Sequence, residues 1–536
     1  MVFRNKNYIF ATISGLILFP KEKDMKKRSL YIASTILGLF LLIGSIRWGY
    51  KQLYLQEQHA EIDLYTLVPT DCIAMLETND INALYKSINY AEFYNDYQDF
   101  HVSDILDFLT KDLDKLTHQQ AHGLSAEMSQ LLVSFHTPDT SQDQIVYGRF
   151  GSNDKGFIKS ILKNYKPNQY PPKKNIYRGE EITIYPVGNG FLACYIQQSY
   201  FVISLQKKLI EKVIDTIKDG NSINENESFK IIRHQRKHNE PATLYLRSTH
   251  TPSRWEEFNI RMNSEAIFLT GGEEIADTCQ FFGTPIIQHK AINIIDETKL
   301  PGNIQMLYQC PLIYKNLITE TTEKTLQNYL QYYGNNEVSG IMFTHNISKE
   351  PLQLLMFRVP PPDATKMQQE FRLDKNAKRK ATIWVDGKAF PQWQYEANDK
   401  LYDYLFIKPS TPIYTITYFG DYMLLAENTE ILRSYLEEIA TTQKKTDRYI
   451  NKSLYRYCLN DLSEQANYTM ITDMNEIVGN DSIFQLLNKN IIPTFFYKHK
   501  EFFRNFMLAT QLIYNDGLIS TNIIFTYQGD SARIRQ

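Results

Sequence analysis

Phe191-Leu-Ala-Cys-Tyr-Ile-Gln-Gln-Ser-Tyr-Phe-Val-Ile-Ser204 decides how the rest of this chain is read. Two apolar runs flank the polar Gln197-Gln-Ser199, the pattern of a β-hairpin with a polar turn. Leu205–Ile217 follows, with Leu209, Ile210, Val213, Ile214 and Ile217 at the spacing of one helix face. The unit recurs at Ile413–Ala426, turning at Gly420-Asp421, and runs into Glu427–Ile439 with Ile431, Leu432, Tyr435, Leu436 and Ile439 at the matching places.

Working outward, the neighbouring blocks recur in the same order. Upstream, Met128–His136 resembles Val338–Asn346, and the strands that follow are Gln144–Phe150 and Leu352–Val359, in which Arg149 and Arg358 coincide after a one-residue gap. Downstream, Ser228-Phe229 resembles Ser453-Leu454, and Ala242–Leu246 resembles Ala466–Met470. Late hairpins are expected to pivot on Gly271-Gly272 and on Asn515-Asp-Gly517. The openings match too: Leu67-Val-Pro-Thr-Asp71 and Leu300-Pro-Gly-Asn303 each set a proline before an apolar strand. Helix-like insertions distinguish the copies, at Ile81–Tyr97 and Val102–Thr117 in the first and at Ile483–Phe506 in the second. The expected fold class is α+β, with two tandem related domains, 67–290 and 291–536. Each is an antiparallel sheet with helices on one face.

A second feature concerns placement. Leu30–Ile46 carries no charge and no proline, and as a helix would reach about 26 Å, close to the thickness of a bilayer core. Lys21, Lys23, Lys26, Lys27 and Arg28 crowd its N-terminal side, and Trp48, Tyr50 and Tyr54 follow it. The positive-inside rule then predicts a cytoplasmic segment 1–28, a single transmembrane helix acting as signal anchor at 29–50, a stalk at 51–66, and the remainder outside. Met25-Lys-Lys-Arg28 looks like the start of an export signal, so translation is expected to begin at Met25. Ile43-Gly-Ser-Ile-Arg47 is a poor cleavage site, which favours retention. The expected location is the cytoplasmic (inner) membrane, single-pass, with the bulk periplasmic or otherwise extracytoplasmic.

The anchor, the opening Leu67-Val-Pro-Thr-Asp71 and repeated strand–turn–strand–helix units such as Tyr195–Ile217 resemble a family of bacterial membrane-anchored proteins catalogued as a domain of unknown function. The resemblance implies an extracytoplasmic location and carries over no catalytic residues.

Composition narrows the function. The 536 residues are 43% hydrophobic and 22% charged with a net charge of -2, which suits a globular protein and gives no pull toward nucleic acid. Cys72, Cys194, Cys279, Cys310 and Cys458 are scattered, without a C-x-x-C pair, and are read as buried free thiols. There is no P-loop, G-x-S-x-G, H-E-x-x-H or G-x-G-x-x-G motif, and Gly188-Asn-Gly190 reads as a turn. His118 and His122 share a helix spacing but lack a third ligand. His234 and His238 lie in the basic stretch Arg233–His238, read as a solvated loop, and Arg178-Gly-Glu-Glu181 and Glu273-Glu274 read as solvated polar turns. Pro360-Pro-Pro362 reads as a stiff surface connection. Trp255, Trp384 and Trp393 suit a core, and Phe390-Pro-Gln-Trp-Gln-Tyr395 is the stretch to watch for an exposed recognition patch. No residue is assigned a catalytic, cofactor-binding or metal-binding role. The expectation is a non-enzymatic binding or scaffold protein held by residues 29–50, its partner an envelope protein or a ligand between the two domains. The alternative is a cell-envelope hydrolase with a non-motif active site.

Overall fold

Twenty strands hydrogen-bond into a single antiparallel sheet in the described part of the chain. The computed structural model describes residues 62–79, 131–136, 143–149, 170–187, 190–235, 242–247, 255–275, 292–312, 325–396, 413–444, 461–478 and 500–528, less a few single positions, with scattered residues between.

The first ten strands are β1 (Cys72–Thr78), β2 (Leu131–His136), β3 (Gln144–Arg149), β4 (Lys173–Tyr177), β5 (Glu180–Val187), β6 (Gly190–Ile196), β7 (Tyr200–Ser204), β8 (Ala242–Arg247), β9 (Trp255–Met262) and β10 (Ala266–Ile275). The second ten are β11 (Ile304–Pro311), β12 (Glu337–Thr344), β13 (Pro351–Arg358), β14 (Ala377–Val385), β15 (Lys388–Glu396), β16 (Ile413–Phe419), β17 (Tyr422–Ala426), β18 (Tyr468–Asp473), β19 (Phe506–Asn515) and β20 (Leu518–Tyr527). The principal helices are α1 (Lys207–Asp219), α2 (Glu227–Gln235), α3 (Leu326–Tyr333), α4 (Pro361–Phe371) and α5 (Thr429–Lys444).

Across the sheet the first half runs β4-β5-β6-β7-β3-β2-β1-β8-β9-β10. Read from its own outer edge, the second half runs β14-β15-β16-β17-β13-β12-β11-β18-β19-β20, the same order shifted by ten. The halves meet where β10 pairs with β20, Ala266 opposite Thr526 and Ile267 opposite Phe525. Each of these strands would otherwise present a row of unpaired backbone groups, and each satisfies the other.

This corrects the expected fold. The chain is not two tandem α+β domains with separate sheets, because one strand ladder passes through both halves and Ile62–Gln536 is one compact unit. Nor are the helices confined to one face. On one face α1 buries Leu209, Ile210, Val213 and Ile214 over the first half, and α5 buries Leu432, Tyr435, Leu436 and Ile439 over the second. The opposite face is one apolar core common to both halves, joining Val133, Phe135 and Leu244 to Met306, Tyr308 and Leu355, with α3 and α4 packed on it. Strands buried on both sides explain why runs such as Leu131–Val133 are apolar at successive positions. The transmembrane helix expected at 29–50 lies outside the described residues. Among the described residues no helix is long and apolar enough to cross a membrane.

Local chemistry accounts for the elements. α1 ends at Gly220, whose positive φ of 67° lets its N–H reach the Thr216 carbonyl. Leu64, Tyr65 and Leu67 form a 3-10 turn buried against the α1 layer, so the core begins before Val68-Pro69. The two outermost strands are basic: β4 carries exposed Lys173 and Lys174, and β14 exposed Lys378, Arg379 and Lys380. Charge at an open edge discourages another chain from extending the sheet. β19 and β20 pair up to Asn515 opposite Leu518, where the sequence predicts a hairpin, while Asp516 and Gly517 lie outside the described residues. Gly271-Gly272, expected as a hairpin pivot, instead lies inside β10 at a register shift between Gly271 and Glu274. A glycine pair serves a bulge as readily as a turn.

Candidate functional site

A cavity of about 270 Å³ opens beside α3 and α4, lined by Asn328, Tyr329, Tyr332, Tyr333 and Glu370. The Thr325 side chain caps α3 by accepting from the Asn328 N–H. Leu326, Tyr329, Leu330 and Tyr333 face the core at helical spacing, which turns Tyr332 outward at 81% exposure. Pro360-Pro-Pro362, expected as a surface connection, instead starts α4, with Pro361 in the first helical position. Ala364, Met367 and Phe371 then bury, placing half-buried Glu370 beside α3.

The polar groups are oriented by one another. Tyr333 donates its hydroxyl to Glu370 Oε1 at 2.5 Å. Tyr329 and Tyr395 both donate to Asp374 Oδ2, at 3.0 and 3.1 Å. The Glu370 hydrogen bond, followed by burial and the negative charges of Glu370 and Asp363, pushes the Tyr333 hydroxyl up to about 12. Burial, then the Asp374 hydrogen bond, raises Tyr329 as well. Both tyrosines therefore stay neutral donors at physiological pH.

A second constellation lies in the first half. Ser134 and His136 are two residues apart on β2 and so point to the same face. Ser134 Oγ is 2.7 Å from His136 Nε2, and His136 Nδ1 is 2.9 Å from Asp71 Oδ1. This is the connectivity of a Ser-His-Asp triad. Its environment differs from an active one. Ser134 is 0% exposed, and its Oγ also lies 3.0 Å from the Tyr147 hydroxyl, so no substrate carbonyl can reach it. The chain instead ties β1, β2 and β3 to α1, since Lys212 donates to Asp71 Oδ2 at 2.6 Å. Nothing in the sequence marked it, because Asp71 and the Ser134–His136 pair lie in separate blocks.

Partial burial would raise the Asp71 carboxyl, but its hydrogen bond to His136, the His136 charge and the Lys212 ammonium outweigh it and hold the group well below the usual carboxylate range. A depressed native pKa stabilises the fold at pH values above the unfolded pKa of about 3.9, and that stabilisation fades as pH falls toward the native value. Asp71→Asn is expected to cost about 1–2 kcal/mol at pH 7, a figure reduced for the 38% exposure of the side chain. In urea titrations the gap between variant and parent should close below about pH 4. A gap that persists unchanged in acid would contradict this.

The other sequence candidates are dispersed. His118 and His122 lie outside the described residues, as does Cys279, while Cys72, Cys194, Cys310 and Cys458 are buried free thiols. Arg233 is helical rather than in a loop; it sits on α2, 4.3 Å above the Tyr65 ring and paired with Asp63. His238 lies outside the described residues. Arg178 and Gly179 form the β4–β5 turn with positive φ, and Arg178 clasps Asp215 and Asp219 of α1. Glu180 pairs with Lys218 and Glu181 with Lys174, so neither carboxylate faces the other as an acid/base pair. Trp255 and Trp393 are buried and Trp384 is exposed on β14. Phe390–Tyr395 is strand β15 rather than an irregular patch, with Trp393 and Tyr395 in the shared core. Among the described residues no group of three His, Cys, Asp or Glu side chains converges as a metal site. No protein-family model, curated protein or solved structure matches the chain.

Proposed function

We propose that the chain is an extracytoplasmic binding protein held at a membrane through its apolar segment 30–46, with its ligand or partner received at the α3–α4 cavity. The cavity carries this reading: a hollow walled by three tyrosines, of which Tyr329 and Tyr333 have their hydroxyls engaged and Tyr332 offers an exposed ring for contact. Its lining residues all belong to the second half, which supports receiving the ligand there. The basic residues before Leu30 and the aromatics after Ile46 support the outward orientation. Crosslinking in intact cells followed by mass spectrometry tests the reading. A discrete envelope partner, reduced by Tyr332→Ala, is expected; recovery of nonspecific neighbours alone would count against it. For orientation, protease should reach the chain once any outer membrane is opened, and protection persisting in spheroplasts would reverse it.

The Ser134–His136–Asp71 connectivity would support a second reading, an envelope hydrolase, only if an opening of the fold uncovers the buried Ser134. An active-site-directed fluorophosphonate separates the two. The binding reading expects no labelling, whereas labelling abolished by Ser134→Ala would establish the hydrolase.

A further inference from the structure

We propose that the α3–α4 cavity takes a small organic ammonium ion, held against the rings of Tyr329, Tyr332 and Tyr333 with Glu370 as its counter-charge. The proposal rests on the binding reading above and names the ligand class for that cavity.

Three observations lead to it. Among the described residues the lining holds three tyrosines, one carboxylate and Asn328, and no Lys, Arg or His. An aromatic ring presents its negative π face to a cation and gains about 0.5–2 kcal/mol from it, more as water is excluded. Tyr332 and Tyr333 meet edge to face, 4.8 Å apart at 81°, so the face of one ring stands at nearly right angles to the face of the other.

Three carboxylates stand near the tyrosines. Asp363, Glu370 and Asp374 all act on the tyrosines of the cavity, and the lysine at this end of α4, Lys366, is already bound to Asp363 at 3.2 Å. An anionic ligand would be opposed by these carboxylates at close range, and a neutral one would gain nothing from them. Because the Tyr329 and Tyr333 hydroxyls already donate to carboxylates, an occupant is recognised by ring surface and charge rather than by hydroxyl hydrogen bonds. At about 270 Å³ the space lies just under the range of drug-sized sites, which limits the occupant to a small headgroup or amine.

The test uses the full-length protein and saturation-transfer NMR with three probes: choline, ethanolamine and 3,3-dimethylbutan-1-ol, the uncharged isostere of choline. Transfer to choline or ethanolamine with little or none to the carbinol is expected, and comparing the two amines shows whether the quaternary centre is preferred. Tyr332→Ala, at a side chain 81% exposed and so not needed for folding, and Glu370→Gln, which keeps the shape, should each weaken binding by roughly three- to thirtyfold. Equal binding of choline and the carbinol, binding indifferent to both variants, or no binding of either amine at about 10 mM would overturn the proposal. A partner recovered by crosslinking alongside no amine binding sinks the ligand class while the binding reading stands; absence of both sinks both.

Discussion

Gly271→Ala is expected to destabilise the protein by about 3 kcal/mol, well beyond the usual effect of one added methyl. Gly271 lies in β10 at the bulge beside the seam, with φ of 139°, a conformation closed to residues with a side chain. A Cβ there would also stand 2.3 Å from the Glu257 carbonyl oxygen of β9, and a backbone atom in a paired strand cannot rotate away. Gly179→Ala is the matching control. Its φ is 85°, but no atom lies within 4 Å of the added carbon, so only backbone strain of about 1–2 kcal/mol applies. Urea unfolding of the two variants should separate by the cost of the clash. Equal effects would show that β9 and β10 are not in the register described.

The second large effect is at Phe525, on the β20 side of the same seam. Its ring is fully buried, 4.6 Å from Phe503 and 5.0 Å from Phe496 by ring centroids, and its backbone faces Ile267 of β10. Phe525→Ala leaves a cavity among rings held by two short helical turns and the sheet, and is expected to cost about 3–5 kcal/mol. Phe525→Leu fills most of the space and should recover more than half of that loss. Thermal or urea unfolding checks both, and a loss under 1 kcal/mol for the alanine variant would mean the ring is not in the shared core.

The two outcomes bear on what the sequence could reveal. The apolar spacing of Leu209, Ile210, Val213 and Ile214 predicts a helix over 205–217, and α1 spans Lys207–Asp219, because the pattern and the hydrogen bonds are both local. The pairing of β19 with β20 was legible for the same reason. The seam was not. Pairing of β10 with β20 joins the last strand of each half, far apart in sequence, and what selects it is the need of two edges for partners, which no local pattern records. Two recurring series of blocks therefore suggested two sheets, whereas they encode two stretches of one. Gly271-Gly272 misled in the same region, because its composition fits a turn and its place in the ladder makes it a bulge.

The cavity was hidden in another way. Tyr329, Tyr332 and Tyr333 are visible as an aromatic run within α3, yet their carboxylate partners come from α4 and from the turn that follows it. Helical periodicity identifies which tyrosines bury, not which acid they meet. Likewise Ser134 and His136 sit in a strand whose apolar neighbours dominate its reading, and Asp71 reaches them only because β1 pairs with β2.

Residue-resolved hydrogen exchange at the seam tests the central claim, that both halves form one sheet. In an edge strand about half of the amides point away from any partner and exchange fast. With β9 on one side and β20 on the other, the amides of Ala266–Thr270 should be protected throughout, as should those of Asn522–Thr526 between β19 and β10. Their protection should match that of Leu354–Phe357 in β13, well inside the sheet. Fast exchange at alternate amides of both seam segments, as expected for the outer strand Lys173–Tyr177, would show two separate sheets instead.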